Sequence, residues 1–207
     1  MELKETMFHS LLKYTNSLLK YTNSLSVALS FRDLLTHIHS KRVMGLSVEI
    51  GEHYGLSNDE INLLKLAAVF HDIGKIGIPD HILLKPSQFN EDEWEIMKQH
   101  SEMGEKILAS ADIEGSIHVA LIIRHHHEHY NGCGYPDKLS GDNIPICARI
   151  ISIADSYDAM AETRSYSRRR NHSEIMAILD KETGKKHDPE IMGVFSDNIE
   201  NSQYKAD

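Results

Sequence analysis

The sequence predicts an all-α fold, and three observations lead there. Apolar residues recur at helical rather than alternating spacing along nearly the whole chain. Two capping boxes, Ser57 with Glu60 and Asn90 with Glu93, announce helix starts. Alternating runs of β-branched and aromatic residues bounded by turn signals are nearly absent. With 207 residues, 41% of them hydrophobic, the chain suits one core and a short appendage.

The elements follow in order. Residues 11 to 17 read Leu-Leu-Lys-Tyr-Thr-Asn-Ser, and residues 18 to 24 repeat all seven. The repeat sets Leu11, Leu18 and Leu25 at one heptad position and Tyr14, Tyr21 and Ala28 three residues later, as in a coiled-coil seam. Two heptads fit a local duplication within an ordinary amphipathic helix equally well. Residues 1–30 are therefore read as an N-terminal amphipathic helix, either a linker or the seat of a homodimer. A helix is expected over 33–54, stopped by Gly55, and the Ser57 box opens another that runs into His71-Asp72. The Asn90 box opens a third, carrying Trp94 and Met97 toward His100. Residues near 113–127 form a further helical segment, after which Gly132, Gly134 and Pro136 mark a long loop. Pro145 suits the first turn of a helix running through Asp155 to Ala161. Ser173 is read as the start of a helix ending at Gly184, and a last short helix follows Pro189.

Charge and composition narrow the function. The formal net charge of −9 argues against a partner in polymeric DNA or RNA, which would require a basic surface. An anionic substrate would then need local compensation from metals, Lys75 and the segment from Arg164 to Arg170. No run approaches the 18 uncharged apolar residues of a membrane span, and Glu2, Lys4 and Glu5 open the chain where a signal peptide would be basic and then apolar. The expectation is a cytoplasmic protein without membrane insertion. Cys133 and Cys147 stand in neither disulfide nor thiolate-zinc spacing, so nitrogen and oxygen must hold any metal. The 14 histidines are about three times ordinary usage.

The dipeptide His71-Asp72 offers an adjacent imidazole and carboxylate able to bridge two cations. His39, His71-Asp72, His100, His126-His127 and Asp155 fall on five predicted segments, spaced by roughly one helix plus its connection. A helical bundle can aim one ligand cluster inward from each. Spacing alone does not establish convergence, since a lone helical histidine is more often packed or exposed than a ligand.

The motifs continue in both directions: His39-Ser40-Lys41-Arg42-Val43, the run from His71 to Asp80, Leu84-Lys85-Pro86, and Met97-Lys98-Gln99-His100 with Gly104. His126-His127-Glu128, Asn131 through Gly134-Tyr135-Pro136, Arg149-Ile150, Ala154 through Met160, Arg164-Ser165-Tyr166 and Asp188-Pro189 complete the set. In these pieces and their order, residues 31–195 resemble the HD-GYP branch of the HD phosphohydrolase superfamily. The resemblance implies an HD-domain helical bundle with additional C-terminal helices, its catalytic domain spanning 31–207. It also implies hydrolysis of the bacterial second messenger cyclic di-GMP to linear pGpG, with further cleavage to GMP left open.

By family position His39, His71, Asp72 and Asp155 hold one divalent ion, iron or manganese, and Asp72 bridges to a second held by His100, His126 and His127. Two such ions clamp a phosphodiester, neutralise its charge and activate water for in-line attack. His71, Asp72 and Lys75 are the implied catalytic residues. Lys75, one turn after the pair, has the reach to contact a phosphate oxygen. Tyr135 is expected to stack on or hydrogen-bond the ligand, or merely to close the core, and Arg164 to fork onto a phosphate. Asp33 and Asp158 are read as acceptors for guanine or for a metal-ligating group, or else as helix caps. Glu128 sets the register of the histidine run, which leaves His125 a bystander. Two other readings stay open: a phosphohydrolase for another cyclic dinucleotide or nucleotide, and a non-catalytic nucleotide-sensing or protein-interaction module. One departure matters. Family members with a third metal carry a glutamate four residues before the first histidine ligand, and here Leu35 occupies that position, so a two-metal centre is expected.

Overall fold

The first long helix, α1 (Leu34–Tyr54), starts where the Asp33 carboxylate accepts the Thr36 amide, and it ends at Gly55 in the left-handed conformation. The computed structural model describes residues 25, 27, 28, 30–111, 113, 115–162 and 169–207. Of the duplicated heptads, Leu11, Tyr14, Leu18 and Tyr21 lie outside the described residues, whereas Leu25 and Ala28 are helical.

Helix α2 (Asn58–Phe70) follows the Ser57–Glu60 capping box, formed with both reciprocal hydrogen bonds. A 3₁₀ turn (Ile73–Gly77) and the short α3 (Asp80–Leu83) come next. Then come α4 (Glu91–Lys98), opened by the Asn90–Glu93 box, and α5 (His100–Ala109). Helix α6 (Ser116–His125) leads into the glycine-containing loop, and α7 (Ile146–Ala161) starts directly after Pro145. Helices α8 (His172–Glu182) and α9 (Pro189–Ile199) complete an all-α fold, with only isolated β-bridges and no strand among the described residues.

The helix from Asn90 carries Trp94 and Met97 toward His100 and ends at Lys98, where the Met97 carbonyl accepts a hydrogen bond from His100 Nδ1 at 2.7 Å. One boundary differs from the sequence reading. Helix α8 is capped by Asn171, whose side chain pairs reciprocally with Glu174, so Ser173 lies inside the first turn. Asn171-x-x-Glu174 is the same signature read correctly at Asn90.

Helix α1 packs against α2 and α7, and α5 packs against α6 and the 3₁₀ turn. Leu64, Phe70, Ile123, Ile150, Ile151, Tyr157 and Phe195 are fully buried between these layers. At about 1.5–3 kcal/mol for each large apolar side chain removed from water, this core carries the fold. A smaller cluster of Ile78, Ile82 and Met97 seats α3 and α4 beside it. Among the described residues no helix is long and apolar enough to cross a membrane.

Candidate metal centre

Three of the central histidines stand at helix ends. His71 caps α2, His126 caps α6, and His100 follows the residue that caps α4. The last carbonyls of a helix lack intrahelical partners. Here each is satisfied by a ring nitrogen: His71 Nδ1 to the Ala68 carbonyl at 2.7 Å, His100 Nδ1 to Met97 at 2.7 Å, and His126 Nδ1 to Ile123 at 2.6 Å. Donation from Nδ1 assigns the tautomer and leaves Nε2 with a free lone pair.

Those lone pairs converge. His100, His126 and His127 present ligand atoms within 4.8 Å of one another, and so do His39, His71 and Asp72. Asp72 belongs to both neighbourhoods, with Oδ2 3.4 Å from His71 Nε2 and Oδ1 3.5 Å from His100 Nε2. Asp155 joins the first group, its Oδ1 3.0 Å from His39 Nε2 and 3.9 Å from His71 Nε2. Lys75, on the 3₁₀ turn rather than on an α-helix, places Nζ 2.6 Å from Asp72 Oδ2.

The donor set fits divalent cations on its own chemistry. His71 Nε2 is buried without a hydrogen-bond partner, a costly condition for a ring nitrogen unless it ligates. His100 Nε2 and His126 Nε2 face each other at 3.4 Å although both Nδ1 atoms already donate, so two lone pairs confront one another where a cation would satisfy both. Burial and the neighbouring His71 and His100 push the His126 imidazole down to about 3, and burial with His126 and His100 keeps His127 low, so both stay neutral ligands. Burial opposes ionisation of Asp72, yet Lys75 and His71 hold its carboxyl well below the usual range. His39 runs the other way: burial lowers it, but hydrogen bonds to Asp155 and Asp158 raise it to about 9.

Two close approaches fix the frame. A Cβ on Gly74 would fall inside the His100 carbonyl, and one on Gly134 would overlap the backbone of His127, Glu128 and His129. Both positions admit only hydrogen, so the His71-Asp72 turn abuts α5 and the Gly-Tyr-Pro loop abuts the His126-His127 pair.

The remaining residues singled out in the sequence divide. The Tyr135 ring lies 4.9 Å from that of His127, against the second histidine group. Burial pushes its phenol up, so it remains a neutral O–H donor. Asp158 is not open to a substrate: it accepts His39 Nδ1 at 2.6 Å and both Arg42 Nε and Nη2, at 2.7 and 2.9 Å. Asp33 caps α1, accepting the Thr36 amide at 3.1 Å and its hydroxyl at 2.6 Å, and is not brought into the cluster. Arg164 lies outside the described residues. Leu35 is exposed and makes no donor available.

Sequence reasoning missed two supports. Arg42 braces Asp158, with the His39-x-x-Arg42 spacing as the only linear signal. His125, read as a bystander to the metal site, helps clamp the loop: its Nε2 and the Arg124 guanidinium both hold Asp137, while the Asp137 amide donates to Glu128.

Comparison with known proteins extends this geometry. A family model described as HD domain matches residues 14–191. The chain belongs to the HD domain family. This HD-domain chain is 38% identical over 196 residues to a cyclic di-GMP phosphodiesterase of Thermotoga maritima, covering 93% of the chain and 52% of that relative. It is 36% identical over 168 residues to the 3'3'-cGAMP-specific phosphodiesterase 2 of Vibrio cholerae, covering 81% of the chain and 32% of that relative. The HD-domain chain thus spans about half the length, or less, of these curated relatives. Among solved structures, Bd1817 of Bdellovibrio bacteriovorus, described as an HDG"Y"P protein, superposes with a TM-score of 0.66 at 21% identity, covering 91% of this chain and 61% of that one. Its likeness establishes the shared fold, and the His-Asp and Gly-Tyr-Pro motifs mark this HD domain as the HD-GYP type.

Proposed function

We propose that this HD domain is a metal-dependent phosphodiesterase that opens cyclic di-GMP to linear pGpG. The observation that carries the reading is Asp72, a single carboxylate shared between two groups of imidazole donors with an ammonium beside it. His39, His71, Asp72 and Asp155 are assigned to one cation, and Asp72, His100, His126 and His127 to the other. Iron or manganese suits a set of imidazoles and carboxylates without thiolate. Bound there, such ions supply Lewis acidity and a nucleophile at neutral pH.

The chain's own residues do the rest. Lys75 offers its ammonium to a non-bridging phosphate oxygen, Tyr135 donates its hydroxyl beside the reacting group, and Arg164 forks onto a second phosphate. Support for the substrate comes from the relative named for cyclic di-GMP. A second reading, another cyclic dinucleotide, is favoured by the relative named for 3'3'-cGAMP. A non-catalytic module would have no use for the full donor set. The sequence pattern of residues 1–30 suits an amphipathic segment serving as a linker or as the seat of a homodimer, and the cytoplasm, where a second messenger acts, is the proposed site of action.

The test is a substrate panel. Purified chain loaded with iron or manganese is incubated with cyclic di-GMP, 3'3'-cGAMP and cyclic di-AMP, and products are separated chromatographically. Preferential release of pGpG from cyclic di-GMP is expected. Turnover of none of the three would overturn the reading, and preference for a mixed dinucleotide would establish the second one.

A further inference from the structure

We propose that Trp94 is a stacking platform for a purine base of the ligand held at the metal centre, an inference that rests on the nucleotide reading above. A row of rings leads outward from the centre. The His127 ring is followed by Tyr135 at 4.9 Å, Tyr135 by Trp94 at 6.2 Å, and Trp94 by Phe89 at 6.4 Å. The first ring belongs to a metal-ligand candidate, and the third is 44% exposed.

The geometry distinguishes a platform from ordinary packing. Trp94 and Tyr135 lie nearly perpendicular, at 85°, so the two rings are not stacked on one another. Phe89 lies nearly parallel to the indole at 20° and backs one side of it. An indole with a ring nearly parallel to it on one side and 44% of its surface exposed has room to receive another flat ring. The same rim carries a cation, Lys98, whose Nζ stands 5.8 Å over the Tyr135 ring, one helical turn after Trp94, and is held at 2.6 Å by the Glu95 carboxylate. Aromatic rings interleaved with positive charge suit a nucleotide, whose base stacks while its phosphate seeks the cation. A phosphodiester bound between the two histidine groups would then have one base lying outward along this row.

The test uses the fact that Trp94 is the chain's only tryptophan. Its fluorescence is followed in metal-loaded protein as pGpG is added, with ribose 5-phosphate as the ligand lacking a base. In parallel, kinetics with cyclic di-GMP compare wild type, Trp94→Ala, Trp94→Phe and the control Leu84→Ala, which alters another exposed apolar residue. The expected results are quenching by pGpG and not by ribose 5-phosphate, and a KM raised on the order of tenfold in Trp94→Ala. The kcat should fall less than about threefold, with partial recovery in Trp94→Phe. In a protein that hydrolyses cyclic di-GMP, unmoved fluorescence or an unmoved KM overturns the platform and leaves the activity standing. Should no cyclic dinucleotide be hydrolysed, quenching by pGpG alone supports the platform against the activity, and absence of quenching overturns both. The fluorescence arm decides the matter even where Trp94→Ala fails to fold.

Discussion

His39 Nδ1 lies 2.6 Å from Asp158 Oδ2, while its Nε2 lies 3.0 Å from Asp155 Oδ1. Among the candidate ligands His39, His71, His100 and His126, His39 is oriented through Nδ1 by a carboxylate, whereas His71, His100 and His126 are held by helix carbonyls. The pair joins α1 to α7 turn by turn, with Arg42 locking Asp158 from the next turn of α1. Asp158→Ala should therefore weaken metal binding at the His39 site by about 10–100-fold, the ordinary effect of removing the partner that orients a ligand. Competitive titration with a metal-sensitive dye measures it. Unchanged affinity would show that His39 needs no brace.

Asp72→Ala and His71→Ala should each abolish hydrolysis and lower metal content. Asp72 approaches both histidine groups, so its loss should affect both sites, whereas His71→Ala removes a donor from one. Wild-type turnover by Asp72→Ala protein would end the two-ion reading.

Tyr135→Ala should weaken nucleotide affinity and leave metal stoichiometry intact, because its ring sits against His127 and burial keeps its phenol protonated. Arg164→Ala should behave alike. Isothermal titration with pGpG and elemental analysis on the same preparation separate the two effects. Metal loss in either variant would move that residue into the ligand set.

Elemental analysis against protein concentration should return two ions per chain. Leu35 presents only an alkyl group where a third ion would need a carboxylate, and three fully occupied sites in unmutated protein would contradict this. Leu35→Glu supplies the converse test and should raise the count.

Acid should destabilise the metal-stripped protein. Burial lowers His100, His126 and His127 below their ordinary 6.5, so each contributes stability that is present above that value and lost as pH falls toward the folded one, about 3 for His126. His39, raised to about 9, works oppositely: its contribution is full below 6.5 and lost as pH rises through about 9. Three groups outweigh one on the acid side. The thermal midpoint of chelated protein should be lower at about pH 5 than at about pH 7.5; equal midpoints would contradict the neutral, buried state of these rings.

The helix starts show what was legible in the chain. Ser57 and Asn90 announce themselves because a capping box is local, complete within four residues. Asn171 carries the same signature, but Ser173, two residues on, is of equally good capping type, and the linear sequence does not choose between them. The break at Gln99 is not a matter of propensity, since neither glycine nor proline marks it. The donors could be picked out by type and spacing, and by resemblance, but their convergence depends on packing between helices far apart in sequence. Arg42 and Asp158 are 116 residues apart, and nothing in either local sequence names the other. Asp33 illustrates the opposite limit: one carboxylate suits a cap or a ligand, and only the position of Thr36 decides.

Gly74 and His100 meet main chain against main chain, and that contact acts as a gauge. His71 and Asp72 hang from one side of it and His100 from the other, so the interval between the two donor groups is set by peptide atoms and not by side chains that can swing. A change in the radius of a bound metal would then be met by tilting imidazoles, the spacing of the donor groups being kept by the main chain. Donors can be altered one at a time without resetting the distance that a phosphodiester has to bridge.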